Sequence, residues 1–289
     1  MPEFTDSSKQ LASSTVKEAP TKPGDHRTRI IARLRDQEIH VPDVHYIYTD
    51  WAAKVHPDVL VLRQHLEGYF QTFISTESQR KKQRRVDNGL CAGYFWTHVE
   101  PEKFVILGEL VAWKGQSREA RDRFAETIYD FIRGVKTSQA TWAQGMSTLE
   151  EYTARRLRTV GTNPCIAVMQ WAYNLTLPPS IWKHEAVVAI TREVAISDFL
   201  WNDIVSLRKE IDDGDIDSAI PVMVWNEGCS AQVAVDRCVK MVEESWARLL
   251  EAETRLVKAH AQESEQTKRD IETLVGGCKD VLVGHMVYS

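Results

Sequence analysis

The chain has 289 residues, 43% of them hydrophobic and 27% charged, with a net charge of −5. That length can bury a substantial core, as one large domain or two small ones. The acidic balance argues against sequence-independent binding to nucleic acid, and charge interrupts each apolar run before it reaches membrane-spanning length.

The first stretch, "MPEFTDSSKQLASSTVKEAPTKPGD", is rich in Ser, Thr, Lys and Pro and carries no apolar core of a secretory signal. Residues 1–28 therefore read as a disordered tail and the location as cytoplasmic. From about residue 29 onward apolar residues recur every three or four positions, the helical period, and no convincing strand interrupts them. "HPDVLVLRQHLEGYFQTFIS" opens on a proline suited to a first turn and places Val59, Leu62, Leu66, Phe70 and Phe73 along one face. The basic run "RKKQRR" at 80–85 reads as a solvated face. Further helices are expected over 88–98, 101–113, 117–134, 149–158, 163–176, 180–211, 217–226, 230–259 and 262–286. Short connections and no solenoid repeat make residues 29–289 one all-α domain, a bundle of antiparallel neighbours.

Several familiar chemistries find no support. Cys91, Cys165, Cys229, Cys238 and Cys278 are odd in number and never form CxxC, so they read as reduced, mostly buried thiols rather than disulfides or a zinc site. "HEAVV" at 184 lacks the second histidine of a zinc protease, and "DDGDID" at 212–217 lacks the terminal glutamate of a calcium loop and reads as a solvated connection. Neither a GxSxG elbow nor a P-loop occurs.

"WNDIVSLRKE", 201–210, is different. A helix turns about 100° per residue, so Asn202, Ser206 and Glu210 fall within roughly 80° of one another on successive turns. An amide carbonyl, a hydroxyl and a carboxylate are hard donors that suit Mg²⁺, an ion that commonly shares its remaining positions with substrate phosphates.

"NDIVSLRKE" resembles the N-D-x-x-S-x-x-K-E metal motif of class I terpene synthases, in particular the fungal sesquiterpene cyclases. "DNGLCAGYFWTHVEPEKF" at 87–104, "TLEEYTARRLRTVGTNPCIAVMQWAYNLTLPPSIWKHE" at 148–185, "SAQVAVDRCVKMV" at 230–242 and "LVGGCKDVLVGHMVYS" at 274–289 resemble other segments of that family in order and spacing. The resemblance implies an all-α class I terpenoid synthase bundle around an apolar cavity. It implies that Asn202, Ser206 and Glu210 are metal ligands for Mg²⁺, with Mn²⁺ as an alternative, and that Lys209 contacts the diphosphate. Asp203 flanks the ligands without being one. Arg156 falls at the place of the diphosphate-sensing arginine, with Arg155 and Arg158 as neighbouring alternatives. Phe95, Trp96, Trp113, Trp171 and Trp201 are candidates for the cavity wall, where aromatic faces stabilise a carbocation. The implied substrate is a prenyl or terpenyl diphosphate, C15 by analogy, and a homodimer is the implied assembly.

The chain also departs from that pattern. After "FVILGELVAW" the family continues into an aspartate-rich motif, whereas this chain reads "KGQSREARDRF", and "RDRFAETIYDFIRGV" resembles a segment that normally lies several tens of residues further on. A stretch holding one or two helices is thus expected to be missing. Glu119 and Asp122 form an E-x-x-D pair there, a weak substitute. The family's Arg-Tyr pair does not follow "GHMVYS". Three readings remain open: an enzyme that uses the retained half-site, passing its cation to an external nucleophile such as an amine or alcohol; a noncatalytic isoprenoid binder or partner of a cyclase; and a truncated form of a conventional sesquiterpene cyclase.

Overall fold

In the computed structural model, residues 25–100, 117–141 and 145–289 are described. Among them the secondary structure is helical throughout, as the periodicity predicts. Helix α1 spans Asp25–Leu34 and so begins inside the stretch assigned to the tail; a short 3-10 turn, His45–Tyr48, follows. Next come α2 (Val59–Phe73), α3 (Glu77–Val86) and α4 (Asn88–Phe95). The helix expected over 101–113, and Trp113 with it, lies outside the described residues. Beyond it are α5 (Arg118–Thr141), α6 (Leu149–Thr159), α7 (Thr162–Ala172) and the single turn α8 (Pro179–Trp182). The chain continues with α9 (Glu185–Asp213), α10 (Ala219–Glu227), α11 (Ala231–Ala259) and α12 (Glu265–Tyr288).

Local chemistry fixes most boundaries. Thr148 and Glu151 close a capping box on α6: Glu151 N donates to Thr148 Oγ1 at 3.2 Å, and Thr148 N donates to Glu151 Oε2 at 2.9 Å. His184 Nδ1 accepts from Ala186 N and caps α9, so the histidine of "HEAVV" has a structural task. Gly214, at φ +75°, ends that helix in the left-handed conformation that favours glycine. The helix expected over 180–211 is therefore two, α8 and α9, because the chain turns at Lys183 and His184.

Helix α9 is the axis of the bundle. It packs most extensively on α11 and also meets α6, α7, α8, α10 and α12. Encirclement explains why residues on nearly every side of it are buried, among them Ile190, Val194, Phe199, Leu200, Ile204, Leu207 and Ile211. At 29 residues it is about 44 Å long. Its second half carries the "NDIVSLRKE" segment, which is thus held between neighbours rather than on an outer face.

Candidate metal and diphosphate site

Asn202, Ser206 and Glu210 stand half-buried on successive turns of α9. Ser206 Oγ lies 2.6 Å from Asn202 O and 2.7 Å from Glu210 Oε1. A hydroxyl has one proton to give, so it satisfies one of these acceptors at a time. Glu210 Oε2 is buried and has no hydrogen-bond partner. Burial pushes the Glu210 carboxyl above the usual carboxylate range, opposed by the Ser206 hydroxyl. Ser218 stands close enough to favour the charged form, yet Ser218 Oγ is itself buried and unpartnered. Oxygen acceptors outnumber donors here.

The donors come from α6. Arg156 Nη2 reaches Asn202 Oδ1 at 3.4 Å and Asp203 Oδ1 at 3.6 Å. Burial opposes its charge, but Tyr152, Asp203, Asp217 and Glu210 outweigh that and raise its pKa. Arg156 Nε is buried without an acceptor. The two neighbouring arginines are engaged elsewhere. Arg155 forms an ion pair with Asp217 and stacks its guanidinium over the Tyr152 ring, at 5.6 Å from the centroid. Arg158 forms a two-pronged contact with Asp130 of α5, through Nε at 3.0 Å and Nη2 at 2.7 Å. Of the three, Arg156 is the one that reaches Asn202.

Asp203, a bystander in the sequence reading, organises the site. Its Oδ2 accepts from Tyr152 Oη at 2.5 Å and from Ala219 N at 2.8 Å, tying α6, α9 and the start of α10 together. Burial raises its pKa to about 7, against the pull of Arg156, Tyr152 and Ala219. Tyr152, Asp203 and Asp217 were not marked by motif or spacing as members of one network. The "DDGDID" connection is more than solvated chain, since Asp217 holds Arg155 and Gly214 ends α9.

The remaining candidates separate. Lys209 is exposed beside the stripe. Trp201 is half-buried next to Asn202, with its Nε1 buried and unpartnered. Phe95 and Trp96 meet edge to face at 6.2 Å, and Trp96 Nε1 donates to Cys165 O at 3.2 Å. Trp171 packs with Leu62, Val99 and Ala172 in a second, smaller cluster. Glu119 and Asp122 are both exposed; Asp122 lies 3.5 Å from Arg118. Among the described residues no three His, Cys, Asp or Glu side chains converge on a point that could hold a metal. A mixed amide, hydroxyl and carboxylate set is what α9 offers, and its orphaned carboxylate oxygen fits a hard divalent cation.

Among the described residues, fold and site together define an all-helical protein in which a stripe of three oxygen-bearing side chains faces a half-buried arginine. Residues 95–248, more than half of the chain, match the model of terpene synthase family 2, C-terminal metal binding, and the chain belongs to that terpene synthase family. Terpene cyclase braA of Annulohypoxylon truncatum is 22% identical over 343 residues, covering 96% of this chain and 91% of the relative. That alignment is longer than the 289-residue chain, so the relative carries residues with no counterpart here. Sesquiterpene synthase Agr1 of Cyclocybe aegerita is 31% identical over 173 residues, 59% of this chain and 48% of the relative. Among solved structures, hedycaryol synthase in complex with HEPES superposes with a TM-score of 0.76 at 17% identity, covering 87% of this chain and 98% of that one. Linalool/nerolidol synthase from Streptomyces clavuligerus gives 0.69 at 17% identity, covering 84% and 98%. These likenesses establish the class I terpene synthase fold. Among the described residues no helix is long and apolar enough to cross a membrane.

Proposed function

We propose that the protein is a terpene synthase-type lyase that ionises a prenyl diphosphate, C15 farnesyl diphosphate in the first instance. Asn202, Ser206 and Glu210 would hold Mg²⁺, and Arg156 and Lys209 would take the leaving diphosphate. One observation carries this reading: an unspent buried donor, Arg156 Nε, sits on the side chain that touches Asn202, and an unspent buried acceptor, Glu210 Oε2, sits two turns further along the same stripe. A metal diphosphate supplies what each lacks, oxygen acceptors for the guanidinium and a cation for the carboxylate.

A divalent ion bound there would neutralise charge developing on the departing diphosphate. The chain's own part is preorganisation. Asp203 and Tyr152 hold Arg156 at the stripe before any ligand arrives, so the guanidinium meets an anion without rearranging, which is how fixed dipoles lower a barrier to charge separation. Partly buried aromatic surface at Phe95 and Trp96 would help keep water from a carbocation.

A second reading is favoured by the sequence at 114–124, where "KGQSREARDRF" stands in place of an aspartate-rich run. With one wall of ligands missing, the half-site would activate a diphosphate more weakly and pass the cation to an amine or alcohol co-substrate. Both readings are tested by incubating the protein with farnesyl diphosphate and Mg²⁺, with and without nucleophiles, while following diphosphate release and organic products. Release that is unchanged in Asn202→Ala and Glu210→Ala overturns the half-site mechanism. Pyrophosphate and Mg²⁺ uptake without release identifies a noncatalytic binder.

A further inference from the structure

Asp198 stands one helical turn before Asn202 on the same face of α9. It is only 4% exposed. Its Oδ2 accepts from Thr162 Oγ1 of α7 at 2.6 Å. Its Oδ1 accepts no hydrogen bond and lies 3.4 Å from His285 Nδ1 of α12, an atom that is also buried and unpartnered. Buried polar groups are nearly always satisfied, so two facing orphans inside a bundle call for a task beyond packing.

The pair lies inside the bundle, between α9 and α12, rather than on its surface. The ring of Phe95 meets the His285 imidazole edge-on at 6.3 Å. Gly284 lets α12 seat directly on α4: a Cβ there would come within 2.8 Å of Tyr94 Cβ and 2.9 Å of Tyr94 O, so the position of the next residue, His285, is fixed by backbone contact. Cys91, Cys165 and Cys278 all lie within electrostatic reach of Asp198, and burial pushes each thiol up to about 12, which keeps them uncharged. Tyr48 is likewise held neutral by burial. The imidazole is the nitrogen base beside the Asp198 carboxylate, and its side chain keeps 16% of its surface exposed, a route by which a proton can leave.

We propose that His285 is the proton acceptor of the reaction and that Asp198 is its positioning residue, a proposal that rests on the carbocation chemistry proposed above. With Nδ1–H turned to Asp198, His285 Nε2 takes a proton from the carbon next to the cationic centre. The electron pair of that C–H bond becomes the π bond of the olefin, the cation is neutralised, and the imidazolium is balanced by the Asp198 carboxylate. The proton then passes to water from the exposed edge of the ring, and no oxidant or reductant is consumed.

The test measures olefin formed per diphosphate released, with farnesyl diphosphate and Mg²⁺, for the wild type, Asp198→Asn and His285→Gln. The ratio is expected to fall at least about tenfold in both variants, with alcohols from water capture making up the difference. Equal ratios in all three proteins overturn the proposal and leave the ionisation chemistry standing. A wild type that releases no diphosphate overturns both. Near-ultraviolet circular dichroism checks the fold of Asp198→Asn; should that variant fail to fold, the partly exposed His285→Gln carries the test alone.

Discussion

Tyr152 Oη donates to Asp203 Oδ2 at 2.5 Å, and both side chains are buried. The bond fastens α6, which carries Arg156, to the turn of α9 that carries Asn202. Tyr152→Phe keeps the ring, including its edge contact with Phe199 at 5.9 Å, and removes only the donor. Leaving a buried carboxyl one partner short costs about 1–3 kcal/mol. Urea denaturation of the variant is expected to lose that much, with pyrophosphate affinity falling as Arg156 loosens.

The raised pKa of Asp203 gives stability a pH dependence. An unfolded aspartate titrates near about 3.9, whereas burial holds the folded group at about 7. Between those values the folded chain binds more protons than the unfolded one, so the contribution of this group to stability falls as pH rises through the window. Asp203→Asn cannot ionise and is expected to flatten the fall. Denaturation midpoints of both proteins at pH 5 and pH 8 measure the difference.

Lys209 is exposed and flanks the stripe of Asn202, Ser206 and Glu210, the proposed metal ligands. Lys209→Ala is expected to leave stability within about 0.5 kcal/mol while weakening uptake of Mg²⁺ with pyrophosphate by about fivefold at low salt. Calorimetric titration at two ionic strengths checks this; an affinity equal to wild type at low salt removes Lys209 from the site.

The capping box of Thr148 and Glu151 starts the helix that delivers Arg156. Thr148→Ala removes the acceptor of one end amide and is expected to cost about 1 kcal/mol. Thermal denaturation reads the loss. Glu151→Gln can still reach the Thr148 amide and should cost less.

What was legible in the sequence followed the helical period. The 3.6-residue repeat located α11 almost to the residue, with 230–259 expected and Ala231–Ala259 observed, and the four-residue spacing of Asn202, Ser206 and Glu210 put them on one stripe as expected. Resemblance alone points to Arg156; in the structure it reaches Asn202, while Arg155 pairs with Asp217 and Arg158 with Asp130. The network beneath was not legible, because Tyr152, Asp203 and Ala219 meet only through tertiary contact. Asp203 lies about 100° around the helix from Asn202, on the side that packs against α6 and α10, so nothing in its spacing marks it as part of the site. Asp198 and His285 are still harder to read, being 87 positions apart and joined only when α12 closes on α9. The helix expected over 101–113, and Trp113 with it, falls outside the described residues.

The amide of Ala219 has its own consequence. It is the first residue of α10, and its hydrogen bond ends on the same carboxyl oxygen that Tyr152 holds. An anion that shares the Arg156 guanidinium with Asp203 leaves more negative charge on that carboxyl and tightens the grip on Ala219. Occupancy of the interior should therefore be heard at the hinge between α9 and α10, as slower deuterium uptake by one backbone proton that never meets the ligand.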